Sequence, residues 1–378
     1  MSVPAGDPPI PTSAVREQPV HHRFPDIRPR RLRRAGWAAL GATAAASLAL
    51  AFVPSPFVVE VPGPTFDTLG ETDAGPLISI EGAETYPTEG ELRLLTIALY
   101  GSPERPLSWI DVAQSYIDPA DSIVPMEVAF PPTTTVEQSN QTGRIEMQNS
   151  QRAAVAAALL HEGHEVVSDV RVAEVLDGLP ADGVMRVGDR ILTVNGETAY
   201  DVFSIRASIA ASEGASVFEI ERDGERLTVE VEPVVEQGQR LVGIVPSNEF
   251  SFPFEVDIEL PNVGGPSAGM MFALGIVDEL TPGAMTAGTQ WAGTGTISAT
   301  GDVGPIGGIV QKMHGALDAG ASHFLAPVEN CGEVVGHVPE GLTVFAVDTL
   351  DDAITAIEAV AMQADTSGLP TCGGGGNS

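Results

Sequence analysis

The stretch FEVDIELPNVGGPSAGMMFALGIVDEL, residues 254–280, contains the local pattern that decides the fold of this chain. In FEVDIEL, four apolar residues alternate with acidic ones, which predicts a half-buried strand. The following NVGGPSAG is a glycine-rich turn, and MMFALGIV is apolar on every side, which predicts a buried helix. The sequence therefore predicts a strand that passes through a tight turn directly into a core helix.

Ser267 lies in this turn, where the predicted strand ends and the helix begins. Pro266 suits a first helical turn, and the neighbouring glycines allow a substrate backbone to come close. A serine at this place lies near the backbone N–H groups of the helix start, which also suit an oxyanion hole. Two interpretations stay open: Ser267 is a nucleophile, or it is an N-capping serine.

Lys312 is the only lysine of the chain, beside 18 arginines, and lies in GPIGGIVQKMHGALDAG, residues 304–320. Arginine is always charged, whereas burial can lower the pKa of a lysine until it is a neutral amine that accepts a proton. The functional interpretation is a general base. The alternative is a lysine that remains by chance on the polar face of a helix.

The segment GPSAG also fits G-x-S-x-G, the nucleophile elbow of α/β-hydrolases. That mechanism requires an acid and a histidine after the serine. His314, His323 and His337 follow Ser267, but none stands in a loop with a clear acidic partner. A Ser–His esterase is therefore the less favoured enzyme.

Residues 35–53, AGWAALGATAAASLALAFV, are uncharged and follow the arginine cluster RPRRLRR. This length just spans a bilayer, and the arginines predict that the preceding residues stay inside the cell. Residues 1–34 are rich in proline and arginine and are predicted to be a disordered cytoplasmic tail. We expect an uncleaved single-pass anchor with an extracytoplasmic catalytic domain; a cleaved signal peptide is the main alternative.

The net charge and the two cysteines limit which ligands and metals we expect the protein to bind. A formal net charge of −32 disfavours nucleic acid and anionic lipid headgroups as ligands. Cys331 and Cys372 have no metal-ligand spacing, and outside the cytoplasm they form either a disulfide or two idle thiols. We expect neither a metal nor a cofactor.

Two further segments have a clear local pattern. GELRLLTIALYG, residues 90–101, is an apolar run between glycines and predicts a strand. SQRAAVAAALLHEGH, residues 150–164, is rich in alanine and predicts a helix with Ser150 as its N-cap.

Residues 165–245 alternate strands with Asn-Gly and Asp-Gly turns around one helix near 201–212. Through LPADGVMRVGDRILTVNGETAYD and ERDGERLTVEVEP, this block resembles a bacterial PDZ domain. The resemblance implies a groove between the strand near 170–176 and that helix, in which an extended peptide binds along a sheet edge. The block either recruits substrate or serves as a spacer or lid.

The serine and the lysine together decide between the alternatives. GPSAG, followed by AGTGTISATGDVGPIGGIVQKMHGALDAGASHFLAP, closely resembles the proteolytic domain of Lon-type serine proteases (endopeptidase La). The resemblance implies a Ser–Lys dyad with Ser267 as the nucleophile and Lys312 as its base. The residues that it implies as oxyanion or active-site support are Gly265, Pro266, Ala268 and Thr294. MQNSQRAAVAAAL, residues 147–159, matches the family's Met-x-x-Ser helix.

The whole layout resembles the Lon-like PDZ-domain proteins of Gram-positive bacteria, through the anchor, VPGPTFDTLG, the PDZ-like block and NVGGPSAG. The resemblance implies an α+β fold with a single transmembrane helix. A Lon-type proteolytic domain, residues 54–163 and 247–365, is interrupted by a PDZ domain at 165–245. Residues 366–378 are expected to form a flexible tail.

The expected function is that of an ATP-independent serine endopeptidase. The P-loop G-x-x-x-x-G-K-[ST] requires a lysine followed by serine or threonine, whereas Met313 follows Lys312. Without a motor, the expected substrates are peptides and loosely folded proteins outside the cytoplasm or at the membrane, recruited through the PDZ block. A homo-oligomer is compatible with these patterns, and nucleic acid and ATP are not expected as partners. The non-enzyme alternative is an inactive protease fold that acts as an extracytoplasmic PDZ adaptor.

Overall fold

The computed structural model describes residues 30–72, 75–130, 136–236, 239–260 and 263–373. The chain divides into two compact units, Met1–Val53 and Pro54–Ser378. Most of the predicted basic tail, residues 1–29, lies outside the described residues, as do the last five residues of the C-terminal tail.

The helices of the described residues have the following bounds: α1 (Arg30–Phe52), α2 (Trp109–Ser115), α3 (Met126–Ala129), α4 (Val136–His161), α5 (Val202–Ala211), α6 (Gly269–Leu280), α7 (Ile309–Asp318), α8 (Cys331–Val334) and α9 (Leu350–Ala361).

The strands of the described residues are β1 (Phe57–Asp67), β2 (Glu71–Thr72), β3 (Gly75–Pro76), β4 (Ile78–Glu81), β5 (Glu91–Tyr100), β6 (Ser122–Pro125), β7 (Val167–Val175), β8 (Arg190–Val194), β9 (Glu197–Thr198), β10 (Ser216–Arg222), β11 (Glu225–Val231), β12 (Val234–Glu236), β13 (Gln239–Leu241), β14 (Ile244–Ser251), β15 (Glu255–Ile258), β16 (Gln290–Gly293), β17 (Thr296–Ile297), β18 (Val303–Gly304), β19 (His323–Pro327) and β20 (Thr343–Val347).

Helix α1 contains a segment that is long and apolar enough to cross a membrane. The segment Arg33–Phe52 has 20 residues and a mean hydropathy of 1.5. Within the described residues the helix includes Arg30 to Arg34 of the predicted tail, in keeping with the good helix propensity of arginine.

The larger sheet has the strand order β20-β19-β16-β5-β1-β6. Its strands come from both predicted protease segments, and β5 is parallel to β16, as β16 is to β19. Successive residues of a strand point to opposite faces, so Leu94 packs with α4, α6 and α9, whereas Leu95 packs with α7. The result is a mixed α/β architecture with helices on both faces of one sheet.

The core helix α6 accounts for the apolar stretch that follows Ser267. Ten of its residues, Gly269 to Asp278, are buried. They form one cluster with the alanine-rich half of α4 and with α9. The prediction of a buried helix after the glycine-rich turn is therefore correct.

A second sheet, called the smaller sheet below, has the order β11-β10-β8-β7-β14, with the two-residue strand β9 paired to β8, and has its own apolar core. Helix α5 covers it with Ile205 and Ile209, which pack against Val170 and Phe218. The predicted boundary at residue 245 lies inside β14, which extends this sheet to Ser251.

The prediction that a groove lies directly beside β7 is wrong, because another strand covers that edge. Strand β14 pairs with β7 along its length, from Ile244 opposite Val175 to Ser251 opposite Val167. Strand β14 is thus the edge strand, and within the described part of the chain its other edge has no strand neighbour. Because the paired residues are 69 to 84 positions apart in the sequence, local patterns do not show this pairing.

The predicted N-cap at Ser150 is also wrong. Helix α4 begins at Val136, so Ser150 lies in its interior and is 3% exposed. The residues before Ser150 are polar and have no apolar stripe of their own, and α4 is held by its packing against α6 rather than by local propensity.

Candidate active site

Ser267 lies in a turn directly before α6 and is half-buried. The N-cap position of α6 is Ala268, and no side chain caps this helix end. The hydroxyl of Ser267 is therefore not used as a helix cap, because it accepts a hydrogen bond from Lys312 instead. Of the two open interpretations, the structure removes the capping serine.

Lys312 lies on α7 and is 2% exposed. Its Nζ donates to Ser267 Oγ at 2.8 Å and to Thr294 Oγ1 at 2.9 Å. Burial lowers the pKa of Lys312 to about 7, because removal from water disfavours the charged amine. The side chain is thus not on a polar helix face, and near neutral pH a large part of it is the neutral amine.

Gly308 explains why α7 starts where it does. Its φ of 66° lies in the left-handed region, and an added Cβ would overlap the side chain of Ile97 on β5. Only glycine combines this backbone conformation with such close contact. The start of α7 is thereby fixed against the sheet, one turn before Lys312.

Thr294 links the nucleophile turn to the lysine. It follows β16, is fully buried, and its hydroxyl donates to the carbonyl oxygen of Ser267 at 2.9 Å. The N–H of Gly295 donates to the same oxygen at 2.9 Å, and Gly295 O accepts from Met270 N at 3.1 Å. The chain from Thr294 to Gly295 therefore holds both sides of the turn that carries Ser267.

The predicted support residues divide into two groups. Gly265 has a φ of 90°, and its N–H donates to Gly143 O on α4 at 2.8 Å, so this amide is already used. Pro266 has no N–H, and its carbonyl accepts from Ser150 Oγ at 2.8 Å. These two residues shape the turn rather than donate to a substrate oxygen.

Thr294, also predicted as a support residue, holds the turn through its hydroxyl. The second group is Ala268, whose backbone amide follows that of Ser267. Within the described residues, neither amide donates to a protein acceptor in the turn. Both lie at the N-terminal end of α6, where helix amides have no partner inside the helix. The chemistry available at this turn is thus a hydroxyl, a buried amine and two amides that suit a developing oxyanion.

Sequence reasoning missed two contacts of the site. Ser150 was assigned to a helix end, although it holds Pro266, and an added Cβ at Gly269 would meet its Oγ at 2.7 Å. Asp201, the first residue of the predicted helix near 201–212, was not singled out, but it accepts a hydrogen bond from Ala299 N at 2.5 Å. The local pattern around Asp201 signals a cap, whereas nothing local signals a contact 98 residues away.

None of the three histidines of the alternative mechanism bonds to Ser267 in the described part of the chain. The His323 ring stacks on Trp291 at 4.8 Å and its Nδ1 pairs with Ser322. His337 Nδ1 bonds to the carbonyl of Glu333. The histidines are therefore occupied elsewhere or lie apart from the serine.

A cavity of about 660 Å³ reaches the turn from the smaller sheet. On one side it is lined by α5 and β14, among others by Phe203 and Val245. On the other side it is lined by α4 and by Pro266, next to the nucleophile turn. An extended ligand in this cavity would touch both the smaller sheet and the turn of Ser267.

Cys331 and Cys372 form a disulfide. It ties the chain near residue 372 to α8, and Cys372 packs against the core cluster on the α7 side of the larger sheet. Of the two states left open by the sequence, the structure has the disulfide.

The residues of this site lie in a part of the chain that is similar to known proteins. Residues 253–360 match the family described as the Lon protease (S16) C-terminal proteolytic domain. The Lon protease of Azospirillum brasilense is 39% identical over 93 residues, which are 24% of this chain and 11% of that protein. Lon protease 2 of Bacillus subtilis (strain 168) is 31% identical over 121 residues, 31% of this chain and 20% of that protein. The matches thus span between a tenth and a fifth of the length of these relatives.

Residues 253–360 are thus similar to the proteolytic domain of Lon-type serine proteases. The resemblance to Lon-type proteases that the GPSAG and lysine motifs carry is thereby confirmed. Among solved structures, the PDZ domain of the SdrC-like protein from Listeria monocytogenes aligns over 20% of this chain and 85% of its own. The sequence identity is 18% and the TM-score is 0.19, a value on which no argument rests.

Proposed function

We propose that this protein is a serine endopeptidase that uses Ser267 and Lys312 as a catalytic dyad. The observation that carries the proposal is the contact of 2.8 Å between Ser267 Oγ and the buried Nζ of Lys312. A serine hydroxyl is a weak nucleophile until an adjacent base takes its proton. A buried amine with a pKa of about 7 can do so at neutral pH.

The proposed reaction has two halves. Neutral Lys312 takes the proton of Ser267 while Oγ bonds to the peptide carbonyl carbon, and the amides of Ser267 and Ala268 hold the oxyanion. The ammonium of Lys312 then returns the proton to the leaving amine, and an acyl ester on Ser267 remains. Lys312 next deprotonates a water, which attacks the ester, and the proton returns to Ser267 as the acid product leaves.

Labelling with a fluorophosphonate probe, followed by mass spectrometry, tests this dyad. We expect one adduct, on Ser267, in the wild-type protein and none in Ser267→Ala. Ser322→Ala, which removes a hydroxyl outside the site, serves as the matched control and should label at the wild-type rate. A folded wild-type protein that forms no adduct would favour the inactive adaptor instead.

Independence from ATP is part of the proposal. It is supported by the position of the sole lysine, which lies on α7 within hydrogen-bonding distance of the serine and is followed by Met313. Substrates without stable folded structure would suit an enzyme of this kind, since unfolding a stable domain requires work. Hydrolysis of a short peptide in nucleotide-free buffer, unchanged by added ATP and Mg²⁺, is the expected result.

The smaller sheet is proposed to be an inserted PDZ-like module that recruits substrate. Support comes from the edge of β14 that has no strand neighbour among the described residues, from the adjacent α5 and from the cavity that continues to Pro266. An extended segment that adds to a sheet edge gains main-chain hydrogen bonds whatever its sequence. The shape of the cavity would then direct the same segment toward Ser267.

A matched pair of valines tests recruitment. Val245 on β14 is 41% exposed and lines the cavity, whereas Val217 on β10 is 38% exposed and does not. We expect Val245→Ala to raise KM for an unfolded protein substrate, with little change for a dipeptide-sized ester, and Val217→Ala to change neither. Equal behaviour of both variants would leave the smaller sheet as a spacer.

Helix α1 is proposed to anchor the protein in the cell membrane, with the N-terminus inside and the catalytic region outside. The support is the segment Arg33–Phe52, of sufficient length and hydropathy, and the arginine cluster before it. An extracytoplasmic position also suits the Cys331–Cys372 disulfide.

A further inference from the structure

Asp201 uses its two carboxylate oxygens for two different parts of the fold. It is the N-cap of α5 and is 3% exposed. One oxygen accepts from the N–H of Ser204 at 2.7 Å, which is the capping bond. The other accepts from the N–H of Ala299 at 2.5 Å, in the hairpin formed by β17 and β18. The second bond is not needed for capping.

The hairpin that Asp201 holds continues directly into the active site. Its first strand follows Thr294 and Gly295, both of which donate to the carbonyl oxygen of Ser267. Thr294 also accepts from Lys312. A shift of the hairpin would therefore move the nucleophile turn and the hydroxyl that orients the lysine.

The opposite side of the hairpin is held by the chain before α9. Val303 N donates to Asp348 O at 2.8 Å, and Leu350 N donates to Gly301 O at 2.8 Å. These bonds keep the hairpin in the fold when the Asp201 bond is lost. Removal of the bond should consequently change the geometry of the site rather than unfold it.

The residues around Asp201 connect this bond to the cavity. Tyr200 packs against the core cluster that contains α6, and Val202 and Phe203 line the cavity together with Asp201 itself. Asp201 is thus the place where the wall of the proposed substrate cavity meets the hairpin of the active site.

We propose that Asp201 is a positioning residue for the peptidase reaction, which holds the β17–β18 hairpin in register with Ser267 and ties that register to α5. The catalytic consequence rests on the proposed dyad. The bond itself is a property of the fold and can be tested without activity.

Two substitutions separate this role from helix capping. Asp201→Ser keeps a capping oxygen but is too short to reach Ala299. Asp201→Asn keeps the length but has a single acceptor oxygen. With that oxygen on the Ser204 N–H, the amide NH₂ faces the Ala299 N–H, and this variant serves as the second one should the serine variant melt. Ser108→Ala, which removes the capping side chain of α2 away from the site, is the control for loss of a cap alone.

Four measurements on the full chain decide the outcome. We expect both Asp201 variants to lower the rate of fluorophosphonate labelling and kcat for a short peptide by about 10- to 100-fold, with KM nearly unchanged. Deuterium exchange in residues 296–304 should accelerate while exchange in β19 stays constant. The ¹⁵Nζ signal of the sole lysine should titrate above 7, since a loosened hairpin admits water to Lys312.

The inference is overturned if both Asp201 variants fold and show the same labelling rate, lysine pKa and hairpin exchange rate as the wild-type protein. Asp201 would then be a helix cap only. If the wild-type protein does not label at Ser267, the proposed dyad fails. The exchange and the lysine titration then still decide whether Asp201 holds the hairpin.

Discussion

Lys312 owes its proposed role to burial, and this makes the activity pH-dependent. Its pKa is lowered to about 7 by burial, so the base form exists above pH 7. We expect kcat for a short peptide to rise as the pH increases through 7 and then to level off. The ¹⁵Nζ signal of selectively labelled lysine should titrate at the same midpoint. A lysine that titrates near 10 would contradict the assignment.

The lowered pKa of Lys312 also makes the free energy of unfolding depend on pH. The unfolded chain binds a proton on this lysine up to a pH of about 10, whereas the folded chain releases it near 7. Between these values the unfolded state holds more protons, so the contribution of Lys312 to the free energy of unfolding increases with pH. Below pH 7 the contribution is constant and unfavourable.

Lys312→Arg separates charge from basicity. Arginine keeps the positive charge but cannot accept a proton at neutral pH. We expect kcat to fall by about 10²–10⁴-fold, as far as in Ser267→Ala, and the double variant to be no worse than either single one, because the dyad acts as a unit. Thermal melts must accompany the kinetics, since an obligatory charge in this pocket costs stability. Near wild-type activity of a folded Lys312→Arg protein would refute the dyad.

Among single residues, the sequence identified those whose proposed chemistry requires a particular residue type. Ser267 was found from its motif and Lys312 from its rarity, and the structure brings them together, although their catalytic roles stay predictions. Ser150 was predicted only as a helix N-cap, which is wrong, and Asp201 was not singled out. Their contacts to Pro266 and Ala299 depend on tertiary packing, which no local pattern encodes.

Among the elements, α7 depends on the glycine at its start. Gly308→Ala would put a Cβ into the left-handed region and against Ile97. We expect a loss of about 2–4 kcal/mol in the free energy of unfolding, together with reduced kcat because Lys312 shifts. Gly332→Ala on α8 meets open space and should leave the denaturant midpoint and kcat unchanged. Equal midpoints for both variants would show that the start of α7 tolerates a side chain.

The C-terminal end of α6 carries two acids that oppose the lysine in their pH effect. Burial raises the pKa of Asp278 to about 6, and burial together with the charge of Asp278 raises that of Glu279 to about 7. Acids with raised pKa destabilise the folded state as they ionise, so stability should fall as the pH rises from about 4 to 7.

Thermal melts at pH 5 and pH 7.5 test this pair. We expect a lower melting temperature at pH 7.5 in the wild-type protein and a clearly smaller difference in Asp278→Asn with Glu279→Gln. The control is Glu358→Gln on the exposed side of α9, which should retain the wild-type difference. An unchanged difference in the double variant would assign the pH effect to other groups.

Elements with a strong local pattern were predicted well, and those fixed by distant partners were not. Strand β5 and helix α6 have apolar runs between glycines and lie where the sequence predicts them. Helix α4 is longer than predicted, because its polar first half has no apolar pattern; Gly143 in this half accepts a hydrogen bond from Gly265 N. Strand β14 was left outside the smaller sheet because its partner, β7, precedes it by a long intervening segment.

For the whole molecule, one prediction concerns the orientation of the chain across the membrane. The arginine cluster and the apolar helix predict an N-terminus inside the cell and a catalytic region outside. A C-terminal tag should be digested when intact protoplasts meet external protease, whereas an N-terminal tag should be protected. The reverse protection pattern would overturn this orientation.

The position of the smaller sheet relative to the turn of Ser267 could not be predicted from the sequence. The sequence resemblance suggested two peptide-binding regions, but not that a cavity joins them near Pro266. That junction depends on how α5 and α4 approach each other, and their side chains there, among them Phe203 and Ile145, are ordinary apolar residues. Only the tertiary structure distinguishes them from other apolar surface.

A chain with one lysine, 2% exposed on α7, offers a single bond to an endoprotease that cuts only after lysine. In the native state that bond lies inside a buried helix and is not accessible. Each cut therefore records one opening of the region around Lys312, and the nicking rate under fast reclosure measures the population of that open state. Cleavage at Lys312 thus measures local opening of the active site. On a denaturing gel, the full-length band is replaced by two fragments.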